Sequence, residues 1–131
     1  MELTAKLTPG MTGSESTVVT REITVAHFHP EMPEVYGTPF MVYLMEVAAS
    51  NAIRHHVPPG WVSVGYEVNV KHLAATPTGR TVTAKAELKS VDGRLVTFAV
   101  EAHDGVAQIG IGTHVRALVD KARFEQKLKS M

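Results

Sequence analysis

The stretch VYGTPFMVYLMEVAASNAI, Val35 to Ile53, holds one charged side chain, Glu46, among residues that favour a dry environment. Thr38 offers an N-cap hydroxyl, and Pro39 suits the first helical position, where a missing N–H does no harm. The pattern predicts a helix running to about Val57, stopped by Pro58, Pro59 and Gly60. At about 1.5 Å per residue it would span roughly 30 Å. Phe40, Leu44, Val47 and Ala48 line one face and Val42, Tyr43, Ala49 and Ile53 the face beside it. Apolar surface thus wraps most of the helix, which must be enclosed by protein.

The material for that enclosure lies on either side. STVVTREITV, Ser16 to Val25, is rich in β-branched residues and reads as a first strand, followed by the loop AHFHPEMPEVYG. From Val62 the period becomes two: Val62, Val64, Tyr66, Val68 and Val70 point one way, and Ser63, Gly65, Glu67, Asn69 and Lys71 the other. RTVTAKAELKSV makes a third strand. Asp92 and Gly93 open a hairpin into RLVTFAVEAH, and a second Asp-Gly, at 104 and 105, leads to AQIGIGTHVRALV. The tail DKARFEQKLKS is charged and helical in propensity.

The expected order is strand, long helix, then four strands in antiparallel meander style. This is an α+β fold of the hotdog architecture, one central helix wrapped by a curved antiparallel sheet of about five strands. Residues 1–131 are expected to form one domain, with 1–15 a tail or leading strand and 120–131 a short C-terminal helix. Such a sheet leaves a long edge and an uncovered patch, so a homodimer is also expected.

Composition narrows the function. Thirteen basic and thirteen acidic residues cancel, leaving no electrostatic footprint for nucleic acid or an anionic membrane. No apolar run reaches the roughly 18 residues that span a bilayer, and MELTAKLTPG lacks a secretory h-region, so a soluble cytoplasmic protein is expected. Without cysteine there is no disulfide, thiolate nucleophile or Cys-type zinc site.

Chemistry then falls to a few residues. A buried Glu46 without a partner would be expensive and its pKa would rise, so it is either a satisfied structural charge or an acid/base group. His72 extends the alternation of Val62 to Val70 and is expected to face the helix, where a carboxylate would make it a general base. Thr38 is a cap or a catalytic hydroxyl. It stands eight residues from Glu46, about 12 Å along a helix axis. If the two act together, either Thr38 loops back or the site joins Thr38 of one subunit to Glu46 of another. His55 and His56 suit the negative end of the helix dipole, and His27 and His29 lack a visible third metal ligand. GIGTHVR puts His114 and Arg116 on one strand face with Gly110 and Gly112, where another surface can approach.

GTPFMVYLMEVAASNAI, VSVGYEVNVKHLAATPTGRTVTAKAEL and AHDGVAQIGIGTHVRALV together resemble the fluoroacetyl-CoA thioesterase family of hotdog-fold acyl-CoA hydrolases, from Ser16 to Val119. The resemblance implies hydrolysis of a short-chain acyl-CoA with Thr38, Glu46 and His72 catalytic: His72 as general base, Thr38 as nucleophile or water-positioning hydroxyl, and Glu46 as orienter of His72 or the attacking carboxylate itself, at the dimer interface expected from packing. It implies a substrate pocket bordered by Gly65 and Arg116, to which Tyr36 is added as the only aromatic of HPEMPEVYGT. That segment is shorter than the family's phenylalanine-bearing lid, which implies a more open pocket. Neither metal nor separate cofactor is expected, coenzyme A being part of the substrate. The alternatives are a non-catalytic acyl-CoA-binding module and a hotdog enoyl-CoA hydratase.

Overall fold

The computed structural model describes residues 2–131. Five antiparallel strands form one curled sheet: β1 (Thr12–Val18), β2 (Trp61–His72), β3 (Thr81–Asp92), β4 (Leu95–His103) and β5 (Gln108–Asp120). A short helix α1 (Val25–Phe28) precedes the long helix α2 (Thr38–Ile53), and α3 (Lys121–Lys129) closes the described chain. The sheet order is β1-β3-β4-β5-β2. Only β3, β4 and β5 form a meander; β2 pairs with β5 rather than with β3, so the segment after His72 crosses from one edge of the sheet towards the other. Gly93 and Gly105 take positive φ in the two hairpin turns, as the Asp-Gly pairs lead one to expect.

The core lies between α2 and the concave face of the sheet. Met41, Leu44, Met45, Ala48, Ala49, Ala52 and Ile53 are the buried face of the helix, packed with Val82, Ala84, Ala86, Leu88, Phe98 and Leu118. The helix is therefore one-sided within the chain: Tyr43 is 65% exposed, and Phe40, Val42 and Val47 are only partly covered. Small residues allow the close approach, since a Cβ at Gly13 of β1 would collide with the backbone of Ala48 and Ala52.

Three local expectations are corrected. The first strand ends at Val18, seven residues before Val25, and Arg21–Ile23 is a 3₁₀ turn. The branched residues beyond Val18 leave the sheet where the pairing Val18↔Thr81 ends. Helix α2 ends at Ile53, so His55 and His56 lie beyond it, and its N-cap is Gly37 rather than Thr38. The alternation of β2 is broken by a bulge between Gly65 and Glu67. Cross-strand pairs share a face, so the pairings of Ser63, Gly65, Val68, Val70 and His72 with Leu118, Arg116, His114, Gly112 and Gly110 put all five on the concave side. Ser63 and Gly65 thus share the face of His72 instead of opposing it.

Candidate active site

Thr38 is the first residue of α2, and its hydroxyl does not cap the helix. It forms instead a 2.7 Å hydrogen bond with Nδ1 of His72, the last residue of β2. Burial lowers the His72 pKa below its usual 6.5, against an opposing effect of the Ala74 backbone, so the ring is a neutral base at neutral pH. Its Nε2 is buried and has no hydrogen-bond partner among the described residues. The Tyr36 ring stands edge-on to His72, centroids 6.4 Å apart, and the Tyr36 hydroxyl is likewise buried and unpartnered. Burial raises that phenol to about 12, so it stays protonated. These three residues border a cleft of about 360 Å³ with Val25, Val35 and Ala74.

Glu46 belongs to a second cluster. Its Oε2 lies 3.7 Å from Arg116 Nη1 and 3.9 Å from His114 Nε2, and a Cβ at Gly65 would strike it. The strand glycine thus makes room for the carboxylate. Arg116 is fixed by donating from Nε to Ser63 Oγ (2.7 Å) and from Nη2 to the Ser63 carbonyl (2.9 Å). The His114 tautomer follows from its neighbours. A carbonyl can only accept, so Nδ1–H donates to Glu67 O at 2.8 Å, and Nε2 accepts from Arg116 Nη1 at 3.1 Å. Burial first, and the adjacent Arg116, keep this imidazole neutral although the Glu67 carbonyl and Glu46 act the other way. The cation that faces Glu46 is therefore Arg116. The Glu46 side chain is 33% accessible, at the wall of an open cleft of about 340 Å³ shared with Tyr43, Val47, Asn51 and Arg116.

The expected constellation is thus divided within one chain: Thr38, His72 and Tyr36 come together, and Glu46, Gly65 and Arg116 come together elsewhere. The dry surroundings expected of Glu46 are not provided by its own chain, because the sheet covers only one face of α2. Sequence reasoning noted His114 beside Arg116 but gave it no place near Glu46, and it missed Ser63, whose facing depends on the bulge. Among the described residues no three His, Asp or Glu side chains are grouped as a metal ion would require. No helix among them is long and apolar enough to cross a membrane.

Solved structures share this architecture. A thioesterase-superfamily protein from Thermus thermophilus is 30% identical with a TM-score of 0.88, over 96% of this chain and 93% of that one. Fold and likeness define a hotdog-fold thioesterase. The family described as fluoroacetyl-CoA-specific thioesterase matches residues 19–122. A fluoroacetyl-CoA thioesterase from Streptantibioticus cattleyicolor is 47% identical over 118 residues, 86% of this chain and 85% of its own length. A structure of the fluoroacetyl-CoA thioesterase FlK superposes with a TM-score of 0.88 at 43% identity, over 95% and 96% of the two chains. The chain belongs to the fluoroacetyl-CoA-specific thioesterase family.

Proposed function

We propose that this chain hydrolyses a short-chain acyl-CoA thioester, as a cytoplasmic homodimer, at a site that joins Thr38 and His72 of one subunit to Glu46 of the other. The observation that carries it is the divided constellation: a threonine–imidazole pair whose outer ring nitrogen lacks a partner, and a carboxylate held apart on the same helix. The uncovered flank of α2 and the edge strand β2 support the pairing of two chains. Tyr43 on α2 and Tyr66 on β2 are 65% and 66% exposed, and Val62 and Val68 of β2 are also exposed.

In this reading His72 takes a proton from Thr38, or from a water that Thr38 holds, as oxygen adds to the thioester carbonyl. Backbone N–H groups at the N-terminus of α2 stabilise the developing oxyanion. The C–S bond then breaks, and the proton held by His72 passes to the departing thiolate. Where Thr38 is the attacking oxygen, a water deprotonated by His72 then adds to the acyl-threonine, and the proton returns to the Thr38 oxygen as the acid leaves. Glu46 of the second subunit orients the imidazole and stabilises its charged form. The acyl group lies along Gly65 and Arg116, with Tyr36 bordering the pocket. A two-carbon acyl group is supported by the relatives: FlK variants have been solved with acetyl-CoA and with fluoroacetate and CoA. The short segment from His29 to Thr38 leaves room for other short acyl groups.

The test is thiol release from acetyl-, fluoroacetyl-, malonyl-, phenylacetyl- and longer acyl-CoAs by the wild type, Glu46→Gln and His72→Ala. Both variants are expected to be inactive alone and to regain activity when their subunits are exchanged, because each mixed dimer then holds one intact site. Failure of the mixture to recover would place all three groups in one chain. Turnover unaffected by either substitution would refute the site.

A further inference from the structure

We propose that Asp104, on the turn between β4 and β5, is a positioning residue for the Thr38–His72 pair, acting through Thr76. The proposal rests on the thioesterase reading above and deepens it.

Asp104 is 3% exposed, which is unusual for a carboxylate in a hairpin turn. Its Oδ1 accepts the Val106 and Ala107 N–H groups at 2.9 and 2.8 Å, which is all that shaping the turn requires. Its Oδ2 is used differently. It accepts the Thr76 hydroxyl at 2.9 Å and Arg80 Nη1 at 3.0 Å, both from the segment that carries the chain out of His72 and into β3. Four charge-assisted or backbone hydrogen bonds on one buried carboxylate make a rigid anchor.

That anchor reaches both members of the catalytic pair. Thr76 is fully buried, and its carbonyl accepts the Tyr36 N–H at 2.8 Å, while Val35 bridges to Pro77. Tyr36 is two residues before Thr38, and its ring stands edge-on to His72. On the other side Thr76 is four residues after His72, and the Leu73 N–H donates to Ile109 O at 2.7 Å. The connection from His72 to β3, which carries main-chain contacts to the loop before α2, is therefore pinned by the Asp104 side chain at Thr76 and Arg80. Without it, the loop before α2 and the segment after His72 would be held to each other by main-chain contacts alone, and a hydroxyl–imidazole distance of 2.7 Å is sensitive to small shifts. A displacement of about 1 Å at a reacting group lowers rates by up to ~100-fold.

The experiment compares Thr76→Val, which removes the hydroxyl and keeps the shape, with Thr76→Ser, which restores it. It also uses Asp104→Asn, which keeps an acceptor for the turn but removes the charge facing Thr76 and Arg80. Steady-state kinetics on the best acyl-CoA are run well below each variant's melting temperature, with His72→Ala as reference. The expected result is a kcat lower by about 10-fold or more in Thr76→Val and Asp104→Asn at nearly constant KM, recovery in Thr76→Ser, and a double variant no slower than the slower single one. If Thr76→Val does not fold, Asp104→Asn carries the same expectation. Wild-type kcat in a folded Thr76→Val or Asp104→Asn, beside an inactive His72→Ala, overturns the positioning role and leaves the site reading intact. A fully active His72→Ala overturns both.

Discussion

Thr38 shows how one side chain can match a local signature and yet turn to a distant partner. Its place before an apolar periodic run is a capping signature, yet Gly37 takes the cap and the hydroxyl turns to His72, 34 residues away in sequence. Local spacing sees only neighbours within a turn or two, so the bond was not legible, although both residues were. Glu46 is the converse case. Its isolation among apolar residues was legible, and its company of Arg116, His114 and Gly65 was not, because that depends on the pairing of β2 with β5. Since the Thr38 hydroxyl caps nothing, Thr38→Val should change stability by less than about 1 kcal/mol and lower kcat by roughly 100-fold, with Thr38→Ser retaining most of the activity. Thermal melts beside thiol-release kinetics check this; a large loss of stability with normal turnover would restore the capping role.

At the level of elements, alternation and Asp-Gly turns located β3, β4 and β5 to within a residue or so, since tight turns at Gly93 and Gly105 bound the two junctions between them. They failed for β1. Its β-branched run continues past the last pair with β3, and branching favours a pleated surface without saying where pairing stops. They failed again for β2, where alternation continues in the letters but the bulge changes the face. The packing of β1 on α2 makes its own demand. A methyl at Gly13 would meet the Ala48 carbonyl and the Ala52 amide, which are helix backbone and cannot rotate aside. Gly13→Ala should therefore destabilise the fold by about 1–3 kcal/mol, seen as a lower denaturant midpoint at unchanged slope. A midpoint equal to that of the wild type would mean that β1 can slide on the helix.

For the whole molecule, two buried groups govern the response to acid. His114 is held below 6.5 by burial, so the unfolded chain binds this proton first and stability falls as pH drops below about 6.5, where His72 adds to the effect. Burial alone would raise the Asp104 pKa, but its backbone, Thr76 and Arg80 hydrogen bonds outweigh that and hold it well below 3.8. Its contribution is present above that value and is lost as pH falls further. Denaturant midpoints across pH should show two descending limbs, the upper one shallower in His114→Gln; a flat profile between neutral pH and the lower limb would refute the histidine assignment. The fold class was legible because one apolar helix and several amphipathic strands admit few enclosures. The separation of Thr38 from Glu46 was legible in their eight-residue spacing, but the company each keeps was not, because it depends on the pairing of β2 with β5. The bulge of β2 also has a genetic consequence. Loss of the Tyr66 codon would leave Ser63, Gly65, Val68, Val70 and His72 in unbroken alternation on one face, whereas loss of any codon from Val68 to Lys71 would turn His72 outward. Loss of the Glu67 codon would act as loss of Tyr66 does, so this strand has two adjacent positions where a triplet deletion keeps Ser63, Gly65, Val68, Val70 and His72 on one face.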